Sequence, residues 1–411
     1  MDSAIVFLGG NLSAVFQFLY YIICVRLLSP QDYGTFNALI IIASLTSVAF
    51  SPLGPTFTRF FTEYITKKDF TTLIFVFSKL IKKLLVVGIL TFCGLFIFSS
   101  SLAQFLKTQK IYIIICGLIV AGGLLATIIP SLFQSFQKFK LYSLAAILSS
   151  LAKLIFGALF MLWGWKVSGA LWGFFATPLA IIIFALFVVP KIFKKEAAGL
   201  DIKPSGSVDL SAIYRYFFPV SLMLLCFHIL TNIDVILVKR FFSGLDAGYY
   251  SIAQIMGKIA LFLPAPLAVA AFPKITSLHV ANKSPLKILY KSLFITAICC
   301  FVITAISFLF PEFILKIIAG KLNPVSKDLL GLFSLAMSFY ALLFIMINFL
   351  IATHNLKFVL PLVFFAFLEA MFICIFHDSL KTVLSILVIF SIISFLSSIF
   401  TVKFSSKSKL A

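Results

Sequence analysis

Lys153 and Lys258 are the residues whose chemistry stands out first, because each lies well inside a long apolar segment. A lysine at the centre of a bilayer costs on the order of 3 kcal/mol on insertion scales, so it normally faces a partner or a water-filled cavity. Two such lysines facing a common lumen would attract an anionic substrate as point charges, without a rigid bidentate grip. Snorkelling, or burial in a static ion pair, is the competing reading. Two carboxylates lie in similar surroundings, Asp234 beside His228 and Asn232, and Glu369. An acid within a membrane can bind H⁺ or Na⁺ and couple a gradient to a conformational change, or serve as a permanent counter-ion for Lys258 or Arg240. Arg26 and Arg59 fall near the ends of apolar segments, where headgroup anchoring competes with guiding an anion.

The elements that position these residues must be membrane helices. Hydrophobic residues make up 62% of the 411, charged residues 11%, and the mean hydropathy is +1.17, whereas a soluble domain is about 25% charged. The net charge of +20 needs no nucleic-acid partner, since cationic loops beside anionic lipid account for it. Cys24, Cys93, Cys116, Cys226, Cys299, Cys300 and Cys374 all sit in apolar segments without metal-ligand spacing, so neither a disulfide framework nor a metal site is expected. Residues 4–28 lack the basic start and cleavage site of a signal peptide and contain Asn11, Gln17 and Arg26, so they read as a first span.

A window of about 20 residues predicts about twelve transmembrane helices, at 4–28, 35–58, 84–106, 111–136, 141–163, 167–190, 216–238, 248–273, 288–310, 329–352, 357–376 and 380–402. They are too long for membrane strands and show no alternation, so the fold is all-α and polytopic. With the N-terminus inside, 21 Lys and Arg fall on the cytoplasmic side and 10 on the outer side, which places both termini in the cytoplasm. Phe70, Leu73, Ile74, Phe77 and Leu80 recur at helical spacing beside Lys79, Lys82 and Lys83, the pattern of a helix lying on the anionic inner leaflet.

Shifting the chain by 214 residues superposes Arg26, Ser29, Asp32, Gly34, Ile41, Pro52 and Leu53 on Arg240, Ser243, Asp246, Gly248, Ile255, Pro266 and Leu267. The expected architecture is therefore two six-helix lobes, residues 1–190 and 216–411, joined by a cytoplasmic linker at 191–215. They are related by a pseudo-two-fold axis along the membrane normal. Ser29 to Asp32 and Ser243 to Asp246 both read as helix caps. Pro52 and Pro55 interrupt span two, and Pro264 and Pro266 interrupt its partner, span eight, marking hinges along a substrate path or static kinks.

Arg26-Leu-Leu-Ser-Pro-Gln-Asp-Tyr-Gly-Thr-Phe36, followed by an apolar span and Thr58-Arg59-Phe60, resembles the N-terminal signature of Wzx-type polysaccharide (O-antigen) flippases of the multidrug/oligosaccharidyl-lipid/polysaccharide (MOP) exporter superfamily. Asn232-Ile-Asp234 with Gly248-Tyr-Tyr250 carries the same resemblance in the second half. The amphipathic lead-in from Val208 to Phe218 before Pro219 has no counterpart at the start, since Ile5 aligns with Pro219, which points to a shortened N-terminus. The resemblance implies a flippase of the cytoplasmic membrane carrying an undecaprenyl-pyrophosphate-linked oligosaccharide from the inner to the outer leaflet by alternating access, for cell-surface polysaccharide biosynthesis. Its partners would be the lipid-linked oligosaccharide, membrane lipids, and the polymerase and other proteins of the pathway. Lys153, Lys258, Arg26 and Arg59 would then face pyrophosphate. Asn11, Gln17, Asn232 and Gln254, with Gln134 and Asn348, are candidates for bonds to sugar hydroxyls, although interhelical bonding is the commoner use. No cofactor is expected beyond a coupling H⁺ or Na⁺. A cation-coupled drug or metabolite antiporter of the same superfamily is the nearest alternative, and its cavity should be acidic. A membrane-embedded polymerase or ligase is disfavoured, because the thirteen carboxylates are scattered and the predicted outer loops are short.

Overall fold

Backbone N–H and C=O groups find no water inside a bilayer, and a helix satisfies them within its own segment. The computed structural model describes residues 2–196 and 211–407, apart from Asn282, Lys321 and His354; residues 197–210, most of the predicted linker and the start of its lead-in, lie outside the described residues. Among the described residues every regular element is helical and no strand occurs. Ten helices among the described residues are long and apolar enough to cross a membrane, or eleven if the bent pair Phe217–Leu230 and Ile233–Phe241 forms one span. The protein is a multi-pass membrane protein.

Ten or eleven is fewer than the twelve expected. The run Phe139–Lys194, 56 residues long, is one that the sequence divides into two spans. It reverses at Met161–Trp165, where Gly164 takes φ +87°, a left-handed conformation that favours glycine.

The chain forms two compact units. The first, Met1–Leu28 with Leu39–Phe218, contains α1 (Asp2–Leu27), the second part of α2 (Pro30–Val48), α3 (Leu53–Thr66), α4 (Phe70–Ile97), α5 (Ser99–Phe105), α6 (Lys110–Ala126), α7 (Ile128–Ser135), α8 (Phe139–Phe160) and α9 (Lys166–Glu196). The break between α2 and α3 falls at Ala49–Pro52, where the sequence placed its first proline interruption. Helices α8 and α9 pack through glycine: a Cβ on Gly173 would lie 2.4 Å from Gly157 Cα.

The expectation of a surface-lying helix at residues 70–80 is overturned. Helix α4 runs unbroken from Phe70 to Ile97, its start capped by Asp69 Oδ1, which accepts Thr72 N–H at 3.0 Å. Leu73 and Phe77 are buried in a cluster with Phe57, Phe61, Ile128, Leu132 and Phe133. The apolar stripe that suggested contact with lipid is covered by protein, while Lys79, Lys82 and Lys83 remain exposed.

The second unit, Ser29–Ala38 with Pro219–Ala411, contains the first turns of α2 and then α10 (Ser211–Leu230, whose first residues fall in the first unit), α11 (Ile233–Phe241), α12 (Gly244–Gly257), α13 (Ile259–Phe262), α14 (Ala265–Val280), α15 (Leu286–Leu309), α16 (Pro311–Ala319), α17 (Pro324–Ala352), α18 (Val359–Ile375) and α19 (Leu380–Lys407). The repeated residues open α2 and α12 in the same way. Ser29 Oγ and Ser243 Oγ each accept the N–H of the aspartate three residues on at 3.1 Å, and each donates to its carboxylate, at 2.8 and 2.7 Å. The two helix starts then touch where both lack a side chain. A Cβ on Gly34 would meet Gly248 N at 2.8 Å, and one on Gly248 would meet Pro30 O at 2.0 Å. Lys239 Nζ donates to Thr35 Oγ1 at 2.8 Å, and Asn37 Nδ2 to Gln254 Oε1 at 3.0 Å, around that contact.

Candidate functional site

Helices α10 and α11 meet at a 43° bend that contains neither proline nor glycine. Thr231 turns its hydroxyl onto Phe227 O at 3.0 Å, and Asn232 Nδ2 donates to His228 O at 2.8 Å, so side chains take up carbonyls of the ending helix. The new helix therefore starts at Ile233 with Asp234 in its first turn, where the positive end of the helix dipole favours a carboxylate. Asn232 is also bonded from the other side: Lys258 Nζ, at the end of α12, donates to Asn232 Oδ1 at 2.6 Å. Lys258 thus spends its hydrogen bond on the break itself rather than on Asp234, which it attracts through space.

Asp234 is fully buried and accepts Tyr250 Oη–H on Oδ2 at 2.9 Å. Glu369, on α18 and equally buried, accepts Tyr340 Oη–H on Oε2 at 2.6 Å. Each carboxylate keeps a second oxygen, Asp234 Oδ1 and Glu369 Oε1, buried without a hydrogen-bond partner, as is Gln254 Nε2. The two acids interact electrostatically. Four helices, α11, α12, α17 and α18, thus bring two acids, two phenols and one ammonium into a single buried polar cluster. Its open acceptor positions can take a proton or a small cation, because an unpaired buried carboxylate oxygen carries an uncompensated desolvation cost.

Lys153 lies in the first unit, on α8, and is 3% exposed. Its Nζ stands 5.0 Å from the Tyr20 ring centroid, 5.4 Å from Tyr21 and 4.6 Å from Phe174. Among the described residues the ion pairs found are Lys67 with Glu63, Lys327 with Glu312 and Lys381 with Asp328, all exposed, and none of them involves Lys153. The two lysines singled out from sequence are therefore both buried, each within its own unit, one against rings and one against an amide.

The remaining predicted residues are dispersed. Arg26 and Arg59 are exposed, in the last turn of α1 and in α3. Asn11 and Gln17 are exposed on α1, with Gln17 Nε2 3.4 Å from Ser13 Oγ. Gln134 Oε1 accepts from Thr58 Oγ1 at 3.3 Å, and Asn348 Nδ2 donates to its own helix at Phe344 O. Pro264 stands in the break between α13 and α14, and Pro266 in the first turn after it. The structure thus gathers Asn232, Asp234, Lys258 and Glu369 within the second unit, whereas Arg26 and Arg59 belong to the first. Sequence reasoning missed Tyr250, Tyr340, Tyr20, Tyr21 and Phe174. Tyr250 lies in the Gly248-Tyr-Tyr250 motif, but its separation of 16 residues from Asp234, like the 29 between Tyr340 and Glu369, has no local signature.

The fold is that of MOP-superfamily transporters. A structure described as the inward-facing conformation of a multidrug resistance MATE family transporter of that superfamily aligns over 96% of both chains, with a TM-score of 0.74 at 15% identity. The lipid II flippase MurJ, in an inward closed conformation, aligns over 97% of this chain and 87% of its own, with a TM-score of 0.68 at 15% identity. The sequence profile of the polysaccharide biosynthesis protein family matches residues 2–279, and the chain belongs to that family. An uncharacterized membrane protein of Methanocaldococcus jannaschii, MJ1375, is 24% identical over 353 residues, 83% of each chain.

Proposed function

We propose that the protein is a flippase that moves an undecaprenyl-pyrophosphate-linked oligosaccharide from the inner to the outer leaflet of the cytoplasmic membrane by alternating access. The observation that carries this reading is Lys153: a buried ammonium with no ion pair among the described residues, in a member of a polysaccharide biosynthesis family. A buried charge without a carboxylate is retained at a cost, and an arriving pyrophosphate would complete it. Lys258 supplies the corresponding charge in the second unit. Asp234 and Glu369, each with an open oxygen, serve on this reading as the coupling site, where H⁺ or Na⁺ binding changes the electrostatic balance around Lys258 and the helix break it holds. The chain performs no bond chemistry; it moves its substrate.

The test is a deletion of the gene in a host without a redundant flippase. Lipid-linked oligosaccharide should accumulate on the inner leaflet while its synthesis continues, and normal outer-leaflet delivery would reject the reading. The buried acids also favour a second reading, a cation-coupled drug antiporter. The deletion strain separates the two, because an antiporter would leave oligosaccharide delivery intact and change drug sensitivity instead.

A further inference from the structure

We propose that Tyr20, Tyr21 and Phe174 form an aromatic cradle that holds the Lys153 ammonium in place and presents it to an anion, making these three rings positioning residues for substrate capture. The inference rests on the flippase reading of Lys153 and adds residues that it does not contain.

The geometry is that of a three-walled box. Tyr20 and Tyr21 meet edge to face at 5.9 Å and 69°, Tyr20 and Phe174 at 6.1 Å and 68°, and Tyr21 and Phe174 at 6.5 Å and 63°. Lys153 Nζ lies within 5.4 Å of all three centroids, inside the roughly 6 Å at which a ring quadrupole attracts a cation. The walls come from α1 and α9 and the cation from α8, so the box exists only when three helices are packed. Packing is enforced where it is needed. A Cβ on Gly157, one turn after Lys153, would lie 2.5 Å from Tyr20 Cε2, so glycine is required for that ring to approach. Tyr20 is fully buried and its hydroxyl donates to Ala170 O on α9, which fixes the wall from behind.

Ring faces differ from a carboxylate in what they leave available. A carboxylate would saturate the ammonium with a charge-assisted hydrogen bond and compete directly with a phosphate oxygen. Rings attract the charge without accepting strong hydrogen bonds, so they hold a buried ammonium charged and in place while leaving its N–H donors available to phosphate. The flexible lysine stem can follow the anion; an arginine would stack on the rings and be held more firmly.

The experiment measures binding of inorganic pyrophosphate to the full-length protein in nanodiscs, with Lys153 or Lys153→Gln, for three kinds of variant. Tyr21→Phe and Phe174→Tyr keep the rings and should bind as the unaltered protein does. Tyr21→Leu and Phe174→Leu remove a wall and should weaken binding about tenfold, with no further loss in the Lys153→Gln background. Phe174→Glu supplies a fixed counter-ion that competes with the anion and should abolish binding. Replacing Phe174 by pentafluorophenylalanine keeps the shape and reverses the quadrupole, so it reports on the interaction even where the leucine variants fail to fold; it should weaken binding as they do. Leucine and fluorinated variants that bind normally, or that weaken binding equally with and without Lys153, overturn the cradle alone. Normal binding by Lys153→Gln, or no binding by the unaltered protein, overturns the flippase reading of Lys153 as well.

Discussion

At the scale of single residues, Glu369 shows how much a buried charge depends on one neighbour. Tyr340 supplies its hydrogen bond and the other oxygen has none, so Tyr340→Phe should strip the carboxylate of its last donor. A loss of about 1–3 kcal/mol is expected, read as a lower unfolding temperature in detergent. Removing both partners with Tyr340→Phe and Glu369→Leu should restore most of that stability, because no unpaired acid remains, yet leave transport abolished if the acid couples it. For the cations the expectation is reversed: Lys153→Gln and Lys258→Gln should insert at normal abundance while transport falls. Lys→Arg should recover part of the rate, since it keeps the charge and grips phosphate bidentately. Normal transport by both glutamine variants would end the cationic mechanism. Lys153, Lys258, Asp234 and Glu369 were legible in the sequence because a charge contrasts with an apolar segment. Their aromatic partners were not, because in a chain with 51 Phe and 12 Tyr one more ring carries no contrast.

At the scale of helices, the prolines announced two breaks and were silent about a third. Proline removes a donor and clashes with the preceding turn, so the interruptions near Pro52 and Pro264 follow from composition alone. The break at Thr231 and Asn232 depends on side chains capturing carbonyls and on Lys258 arriving 26 residues later, which no local pattern encodes. Its counterpart by the repeat lies in α1, which is continuous, so duplication did not preserve it. If the prolines act as hinges, Pro264→Ala with Pro266→Ala should join α13 to α14, raise thermal stability and slow transport; unchanged transport would leave them as static kinks. Gly173→Ala tests a contact that cannot yield, because its Cβ would meet Gly157 backbone. Overpacking of this kind costs about 1–3 kcal/mol, and the fraction of folded protein in detergent should drop accordingly. Helix α4 teaches the opposite lesson: an apolar stripe states that something covers it and not whether that is lipid or protein.

At the scale of the whole molecule, the charge bias makes a topological prediction that is independent of mechanism. A reporter fused after Lys107 should label from outside and one placed within residues 195–205 from inside; the reverse would invert the direction of transport. Helical class, membrane residence and the internal repeat could all be read from composition and self-similarity. What could not be read is that Ser29–Ala38 belongs with the second unit, since identical residues in two halves say nothing about where either copy docks. That placement has a consequence for how the protein is made. Thr35 and Asn37 leave the ribosome 204 and 217 residues ahead of Lys239 and Gln254, the side chains they bond. During synthesis Thr35 can donate to Gln31 O in its own helix, but the Asn37 amide enters the bilayer without its partner and must wait for about half of the chain. A translation pause within that interval should leave an intermediate that membrane quality-control proteases recognise.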